Sequence, residues 1–235
     1  MHYQTRNVFF GTGSMTPAVK ALIVVNVIVF VLQAVADSSF VILFGLVPYL
    51  VWHKLYIWQI FTYQFLHGGI FHILFNMLAL WMFGCDLERR WGSQFFLKYY
   101  TICVAGGAIF NVLLLPGQTV PSIGASAGIF GILLAYALLY PNQIVYFYFL
   151  FPIKMKYFVM IIGAISLYTV VTADQSGIAH FAHLGGMAVG YVYLRWGNPW
   201  VWLGIYWDQY RLQRRKRRFR IIDGNKDKDS KPTLH

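Results

Sequence analysis

The 235-residue chain is 58% hydrophobic and only 11% charged, whereas a soluble globular domain carries about 25% charged residues. This composition excludes a water-soluble globule. The formal net charge is +11, and ten of the 19 lysines and arginines follow residue 207. A basic segment directly after a membrane span is typical of a topology signal held at anionic lipid, so we expect no nucleic-acid partner.

The apolar residues are grouped into segments of about 16 to 21 residues, the length of a helix that crosses a hydrocarbon core of ~30 Å. The predicted spans are 18–36, 71–87, 95–115, 125–140, 156–173 and 179–196. The aromatic stretch 144–155 is too short to cross and is predicted to lie in the membrane interface.

The sequence therefore predicts an all-α, polytopic membrane protein. Three regions are expected: residues 1–17 form a short cytoplasmic N-terminus, 18–196 form the six-helix membrane domain, and 197–235 form an interfacial aromatic segment and a basic cytoplasmic tail. A second interpretation exists for the first span, because Ala34-Val35-Ala36 resembles a signal-peptidase site. The n-region of such a signal peptide would be about twenty residues long and would end in Lys20 without a cluster of positive charge, which favours an uncleaved helix.

The distribution of lysine and arginine predicts the orientation. With the N-terminus inside, 18 of the 19 basic residues lie on the inner side, and only Lys54 lies outside. Both termini are then cytoplasmic, and residues 37–70 form a long outer loop that is partly sunk in the outer leaflet. Cys85 and Cys103 lie towards the inner ends of neighbouring spans, and no disulfide is expected.

Hydrogen-bonding side chains are costly within spans and are therefore candidates for function. His72 and Asn76 lie at the start of span two, Ser126 starts span four, and His183 is about four residues into span six. These three spans run from outside to inside, which puts all four side chains within roughly 10 Å of the outer boundary. The sequence thus predicts that these four side chains form one polar layer within the membrane domain.

Small residues indicate which helices touch. Gly124 and Gly128 flank Ser126, and Gly186 and Gly190 follow the histidine of span six. Both pairs have the Gly-xxx-Gly spacing that permits close approach of membrane helices. Spans four and six are therefore expected to bring the serine and the histidine together.

The chemistry that fits this layer is acyl transfer. A serine hydroxyl needs a base, and a neutral His183 is suited to accept its proton. His72, Asn76 and the backbone N–H of Ser126 are candidate donors to an oxyanion. No aspartate or glutamate lies at that depth, so the sequence predicts a Ser-His dyad. The same observation excludes an aspartyl intramembrane protease.

A metal transporter or metal enzyme is the alternative from another class. It would use the four histidines His67, His72, His180 and His183, since imidazoles three residues apart on a helix are able to share a metal. No His-Glu-x-x-His motif and no carboxylate accompanies them. We therefore expect neither a metal nor another cofactor and interpret His180 as a cavity-lining residue.

Three motifs together resemble those of the rhomboid intramembrane serine proteases. They are residues 72–76 (HILFN), 124–131 (GASAGIFG), and 182–186 (AHLGG) with a further glycine at 190. The resemblance runs from about Trp58 to Gly190. It implies a six-helix bundle with an outward-facing catalytic cavity, in which a Ser-His dyad cleaves transmembrane segments of other membrane proteins.

The resemblance also implies residue roles. Ser126 is the nucleophile, His183 the general base, and His72, Asn76 and the Ser126 backbone N–H form the oxyanion hole. His67 organises the cavity. The Glu88 and Arg90 side chains form a structural ion pair. Span five and the loop of residues 173–177 gate substrate entry.

Three positions depart from the usual rhomboid pattern. Ala127 replaces a glycine, Phe130 replaces a tyrosine that lies beneath the histidine in many members, and Gln59 replaces a loop arginine. No catalytic group is lost. Catalytically silent relatives, which bind membrane proteins, remain the alternative within the family. The compact form suggests a bacterial inner membrane, and the sequence leaves substrate and oligomeric state open.

Overall fold

The computed structural model describes residues 14–147, 150–172 and 178–197, together with the single positions 204, 207, 210, 211 and 214. Within this part the chain is almost entirely helical. The α-helices are α1 Pro17–Val35, α2 Ser38–Phe44, α3 Pro48–Lys54, α4 Gln59–Thr62, α5 Ile70–Ala79, α6 Cys85–Trp91, α7 Ser93–Leu114, α8 Ser126–Leu139, α9 Met155–Thr172 and α10 Ile178–Val192. A 3-10 turn, Tyr63–Phe65, follows α4, and π-helical turns join α5 to α6 and extend α10.

Four helical segments in the described residues are long and apolar enough to cross a membrane. They are Pro17–Val35, Ile70–Trp91, Ser93–Leu114 and Met155–Thr172. Helices α8 and α10 occupy the other two predicted spans but are shorter, with 14 and 15 residues. The chain is thus an integral membrane protein of helical type. The predictions for residues 1–13, for the loop 173–177 and for most of the tail lie outside the described residues.

Helix α7 lies at the centre of the bundle. It packs against α8 and α10, and its inward face buries Tyr99, Cys103, Val104 and Ala108 completely. Helices α1 and α9 are different, because few of their side chains are buried. Apolar side chains exposed in this way are stable against lipid tails. α1 and α9 therefore form the lipid-facing periphery, and the polar layer is built on the inner helices.

The long loop before α5 contains α2, α3 and α4, and Gln59 holds them together. Its side chain is fully buried. The amide oxygen accepts a hydrogen bond from the Val47 N–H at 2.9 Å, and the amide nitrogen donates to the Ile42 carbonyl at 2.8 Å. Where the resemblance would lead one to expect arginine, this chain thus has a neutral residue that bonds the loop backbone.

Residues 144–147 and 151–154 pair as an antiparallel hairpin, which adds regular structure to the aromatic segment predicted for the interface. Strand β1, Ile144–Phe147, pairs with β2, Phe151–Lys154, in a register that places Val145 opposite Ile153. Aromatic and β-branched residues dominate both strands, and these residue types favour extended backbone. Several apolar side chains of the hairpin are exposed. The location of this segment in the membrane interface stays a prediction.

Glu88 in α6 binds the start of α1. Its carboxylate accepts hydrogen bonds from the N–H groups of Ala18 and Val19, both at 2.9 Å, and from the hydroxyls of Thr16 and Ser93. A carboxylate is favoured at a helix N-terminus, because the first N–H groups are unpaired and the helix dipole is positive there. The guanidinium of Arg90 lies 5.9 Å from the centre of the Tyr140 ring. The Glu88–Arg90 ion pair remains a prediction.

Replacing Glu88 tests this attachment. Glu88→Ala leaves buried N–H and hydroxyl donors without an acceptor, so the free energy of unfolding is expected to fall by about 2–4 kcal/mol. The measurement is chemical unfolding in a mild detergent. Glu88→Gln is the matched control, since it retains an acceptor oxygen and is expected to lose less. Equal midpoints for the wild type and Glu88→Ala would contradict the attachment.

Candidate active site

Ser126 and His183 meet between α8 and α10. Ser126 is the first residue of α8, and its Oγ lies 2.6 Å from the Nε2 of His183. The hydroxyl donates to Nε2 when that nitrogen is unprotonated, which places the proton of the neutral imidazole on Nδ1. The buried Nδ1 has no hydrogen-bond partner among the described residues. The pair is therefore arranged for transfer of the serine proton to the imidazole.

Small residues allow α8 and α10 to approach this closely. A Cβ at Gly186 would overlap the carbonyl oxygen of Ala127, the residue after Ser126. On the other side, a Cβ at Gly107 of α7 would lie 2.6 Å from both the Ala127 Cβ and the Ala182 carbonyl oxygen. The three helices therefore touch through backbone atoms beside the serine and the histidine.

The other predicted glycines lie at similar contacts. A Cβ at Gly128 would overlap the Tyr100 ring, and one at Gly190 would lie 2.6 Å from the Tyr99 hydroxyl. That hydroxyl donates to the Gly131 carbonyl at 2.8 Å. The glycines on both sides of the serine and after the histidine thus set the distances between α7, α8 and α10.

Aromatic rings fix the plane of the His183 imidazole. Phe130, one helical turn after Ser126, stacks on that ring with 4.3 Å between centroids and an interplanar angle of 13°. His180 meets His183 edge to face at 5.4 Å. Ring stacking needs no hydroxyl, so phenylalanine in place of the usual tyrosine preserves this contact.

His72 and Asn76 lie against Gly124, two residues before Ser126. Gly124 has a φ of +120°, and a Cβ there would lie 2.7 Å from the His72 Nε2 and 3.7 Å from the Asn76 Nδ2. The Gly68 N–H donates to the His72 Nδ1 at 3.2 Å, so a neutral His72 carries its proton on Nε2. The buried Nδ2 of Asn76 has no partner among the described residues. Two side-chain donors are thus available next to the serine.

The start of α8 supplies further donors. The first hydrogen bond inside the helix runs from the Ile129 N–H to the Ala125 carbonyl, so the N–H groups of Ser126, Ala127 and Gly128 have no partner within the helix. The positive end of the helix dipole lies at the same place. An anionic oxygen beside Ser126 is therefore favoured.

His67 lies next to this cluster in the connection before α5. Its side chain is 1% exposed and meets the His72 ring edge to face at 5.0 Å. Burial first, and then the neighbouring His72, lower the pKa of His67 to about 4. The imidazole is therefore neutral at pH 7, and neither ring nitrogen has a partner among the described residues.

Gln33 was not selected by the sequence analysis, yet it contacts the same connection. Its amide nitrogen donates to the His67 carbonyl at 2.8 Å, and its amide oxygen accepts from the His67 N–H at 3.0 Å. The available signal was depth, because Gln33 is a polar residue in the last turn of α1, at the same end of the bundle as His72.

The four histidines do not form a metal centre in the described residues. No group of three or more His, Cys, Asp or Glu side chains there is placed to hold an ion. The histidines are arranged as two ring contacts, one between His67 and His72 and one between His180 and His183. A single shared ligand sphere is not observed.

Comparison with protein families gives a match to the rhomboid domain over residues 54–197. The chain belongs to the rhomboid family. The matched segment contains every residue of the candidate site except Gln33.

Curated rhomboid proteins from plants, yeast and bacteria are similar to this chain. The RHOMBOID-like protein 12, mitochondrial, of Arabidopsis thaliana is 30% identical over 189 residues, which cover 73% of this chain and 55% of that protein. The rhomboid protease GluP of Bacillus subtilis is 38% identical over 137 residues, 57% of this chain and 25% of that protein. The Rhomboid protein 1, mitochondrial, of Saccharomyces cerevisiae is 31% identical over 137 residues, which cover 55% of this chain and 38% of that protein. The chain thus spans about a quarter to a half of their lengths.

The contact between Gly186 and Ala127 generates a prediction. Gly186→Ala forces a methyl group against a backbone carbonyl that cannot rotate away, so we expect a loss of about 1–3 kcal/mol of stability. Thermal unfolding in detergent measures it. Gly163→Ala on α9 is the matched control, because a Cβ there has ordinary van der Waals space, 3.6 Å from Met187. Equal stability of the two variants would show that the helices do not need the close approach.

Proposed function

We propose that this protein is an intramembrane serine endopeptidase that cleaves transmembrane segments of other membrane proteins. The observation that carries the proposal is the 2.6 Å contact between the Ser126 Oγ and the His183 Nε2, in a chain of the rhomboid family. The similarity to a rhomboid protease from Bacillus subtilis supports it.

Acylation begins when His183 Nε2 accepts the proton of the Ser126 hydroxyl as Oγ attacks the carbonyl carbon of the scissile peptide bond. The C–N bond of the tetrahedral intermediate then breaks. The protonated His183 gives its proton to the leaving amine, and an ester to Ser126 remains. A water molecule, deprotonated by the same imidazole, hydrolyses the ester and restores the hydroxyl.

The negative charge on the carbonyl oxygen is stabilised by donors in place before the reaction. His72 offers Nε2–H because the Gly68 N–H occupies its Nδ1. Asn76 offers an Nδ2 that has no partner among the described residues, and Ser126 offers its backbone N–H at the helix start. Donors fixed in an apolar site are worth more than the same donors in water, since they need no reorganisation during the reaction.

The proposed orientation puts both termini in the cytoplasm and opens the catalytic cavity to the outer side of a six-helix bundle. The distribution of lysine and arginine supports it. The proposed location is the inner membrane of a bacterium, although two of the relatives above carry mitochondrial names. The substrate is proposed to enter from lipid.

A catalytically silent rhomboid-like factor that binds membrane proteins is the competing proposal. It would not need a hydroxyl within hydrogen-bond distance of an unprotonated imidazole nitrogen, nor unpartnered donors beside that hydroxyl. The observed pairing therefore favours the enzyme. The metal-transport alternative gains no support from the two separate histidine pairs.

A fluorophosphonate probe tests the dyad without a known substrate, because it labels only an activated serine. The detergent-solubilised wild-type protein is expected to carry the adduct on Ser126, located by mass spectrometry. Ser126→Ala and His183→Ala are each expected to abolish labelling and the cleavage of a fluorogenic transmembrane peptide, while thermal unfolding stays near that of the wild type.

The exposed Ser39 supplies a matched control, since Ser39→Ala is expected to label at the wild-type rate. Labelling of folded His183→Ala at the wild-type rate would refute the dyad. Absence of labelling in the folded wild type would favour the silent, binding-type relative.

A second prediction concerns the oxyanion donors. His72→Ala and Asn76→Ala are each expected to slow labelling of Ser126 by about 10²–10³-fold, the usual cost of one such donor. The probe develops the same negative oxygen on phosphorus as the peptide does on carbon, so the labelling rate is the measurement. Asn142→Ala, an exposed turn position, is the control. Wild-type rates in both variants would remove these residues from the oxyanion hole.

A further inference from the structure

Gln33 lies on α1, outside the helices that carry the candidate catalytic groups, and it bonds the backbone of a single residue twice. The amide donates to the His67 carbonyl at 2.8 Å and accepts from the His67 N–H at 3.0 Å. Both backbone groups of His67 are thereby held by one rigid planar group. A two-point attachment of this kind fixes the direction of the chain at His67 as well as its distance from α1.

The next residue transmits this constraint to the candidate site. Gly68 follows His67, and its N–H donates to the Nδ1 of His72 at 3.2 Å. The direction of that N–H depends on the peptide plane between His67 and Gly68, whose carbonyl is the one that accepts from Gln33. The Gln33 amide therefore fixes the orientation of the peptide group whose N–H donates to His72.

The proton position on His72 decides what this imidazole is able to do. A neutral histidine is a donor at one nitrogen and an acceptor at the other. With a donor on Nδ1, the proton is on Nε2, the atom that lies beside Gly124 and the start of α8. Without that donor the other tautomer becomes accessible, and it would present a lone pair to the oxyanion.

We propose that Gln33 is a positioning residue for the oxyanion hole. Its side chain orients the peptide group between His67 and Gly68, and this orientation keeps the proton of His72 on Nε2. The expected effect of Gln33 on the reaction rate rests on the proposed function, whereas its expected effect on the proton position of His72 does not. Gln33 touches no reacting atom in this scheme and acts only through the backbone.

The decisive variant is Gln33→Leu, which keeps the approximate size of the side chain and removes both hydrogen bonds. Asn26→Leu is the matched control on the same helix, since Asn26 is buried and its amide bonds the Leu22 carbonyl within α1. Gln94→Leu, on the exposed side of α7, controls for the added leucine.

The first readout is the proton position, by ¹⁵N NMR of histidine-labelled protein in detergent, with His72 assigned by its loss in His72→Gln. The wild type is expected to show an unprotonated Nδ1 and a protonated Nε2 at His72. In Gln33→Leu both nitrogens are expected to move towards the average of the two tautomers, and in both controls neither is expected to move. A protonated Nδ1 in the wild type overturns the proposal, even where Gln33→Leu fails to fold.

The second readout separates rate from binding. In Gln33→Leu the maximal rate of fluorophosphonate labelling is expected to fall about tenfold, the worth of a hydrogen bond of ordinary strength, with the half-saturating probe concentration unchanged. A merely structural role would lower the fraction of folded protein and leave the rate of the folded fraction unchanged. The positioning role is refuted when Gln33→Leu keeps the wild-type maximal labelling rate, or when its His72 nitrogen signals match those of the wild type. Wild-type protein that shows the expected tautomer but no labelling refutes the proposed function alone.

Discussion

The approach of α8 and α10 at Ala127 and Gly186 is the contact on which the geometry of the site depends. Lipid tails are as apolar as leucine, so membrane helices gain little from hiding apolar surface and associate through close packing instead. The absence of a side chain at Gly186 lets its backbone rest on the Ala127 carbonyl. Since Ser126 and His183 lie within one turn of this contact, the same approach sets the 2.6 Å between Oγ and Nε2.

Helix α1 at the periphery is held differently. Few side chains of α1 are buried, so packing alone specifies its position weakly. Polar groups attach it instead. Glu88 binds the first turn of α1, and Gln33 in its last turn binds the backbone of His67. A buried polar group that loses its partner costs far more than the net gain from pairing it. Two such attachments therefore fix a helix that apolar contacts would leave free to slide.

Much of the candidate site could be predicted from residue types. Ser126, His183, His72 and Asn76 were placed in one layer by counting along three spans, and the structure brings the first two into contact and the last two beside Gly124. The glycine pairs marked the contacting helices because only small residues permit backbone contact. What the sequence lacks is any signature for bonds between a side chain and a distant backbone group.

Gln33, Gln59 and Glu88 illustrate this limit. Each binds backbone N–H or C=O groups, which every non-proline residue possesses, so residue types alone do not indicate the partner. The resemblance implies an ion pair of Glu88 with Arg90, which remains a prediction, and it gives no indication that the carboxylate also binds the N–H groups of Ala18 and Val19, about 70 positions earlier. The pairing of strands 144–147 and 151–154 has no sequence signature for a related reason, since their apolar residues indicate only an interface and strand pairing is made by backbone groups.

The two imidazoles of His183 and His72 meet their hydrogen-bond partners through different ring nitrogens. At His183 the serine hydroxyl lies 2.6 Å from Nε2, and this nitrogen is the acceptor when the ring proton is on Nδ1. At His72 the Gly68 N–H points to Nδ1, so Nε2 is left as a donor. Neither assignment needs a charged partner, and a carboxylate in this layer would carry a large desolvation cost. A backbone N–H is therefore the less costly means of fixing the His72 imidazole at this depth. The proposed dyad likewise contains no carboxylate, and the buried Nδ1 of His183 has no hydrogen-bond partner among the described residues.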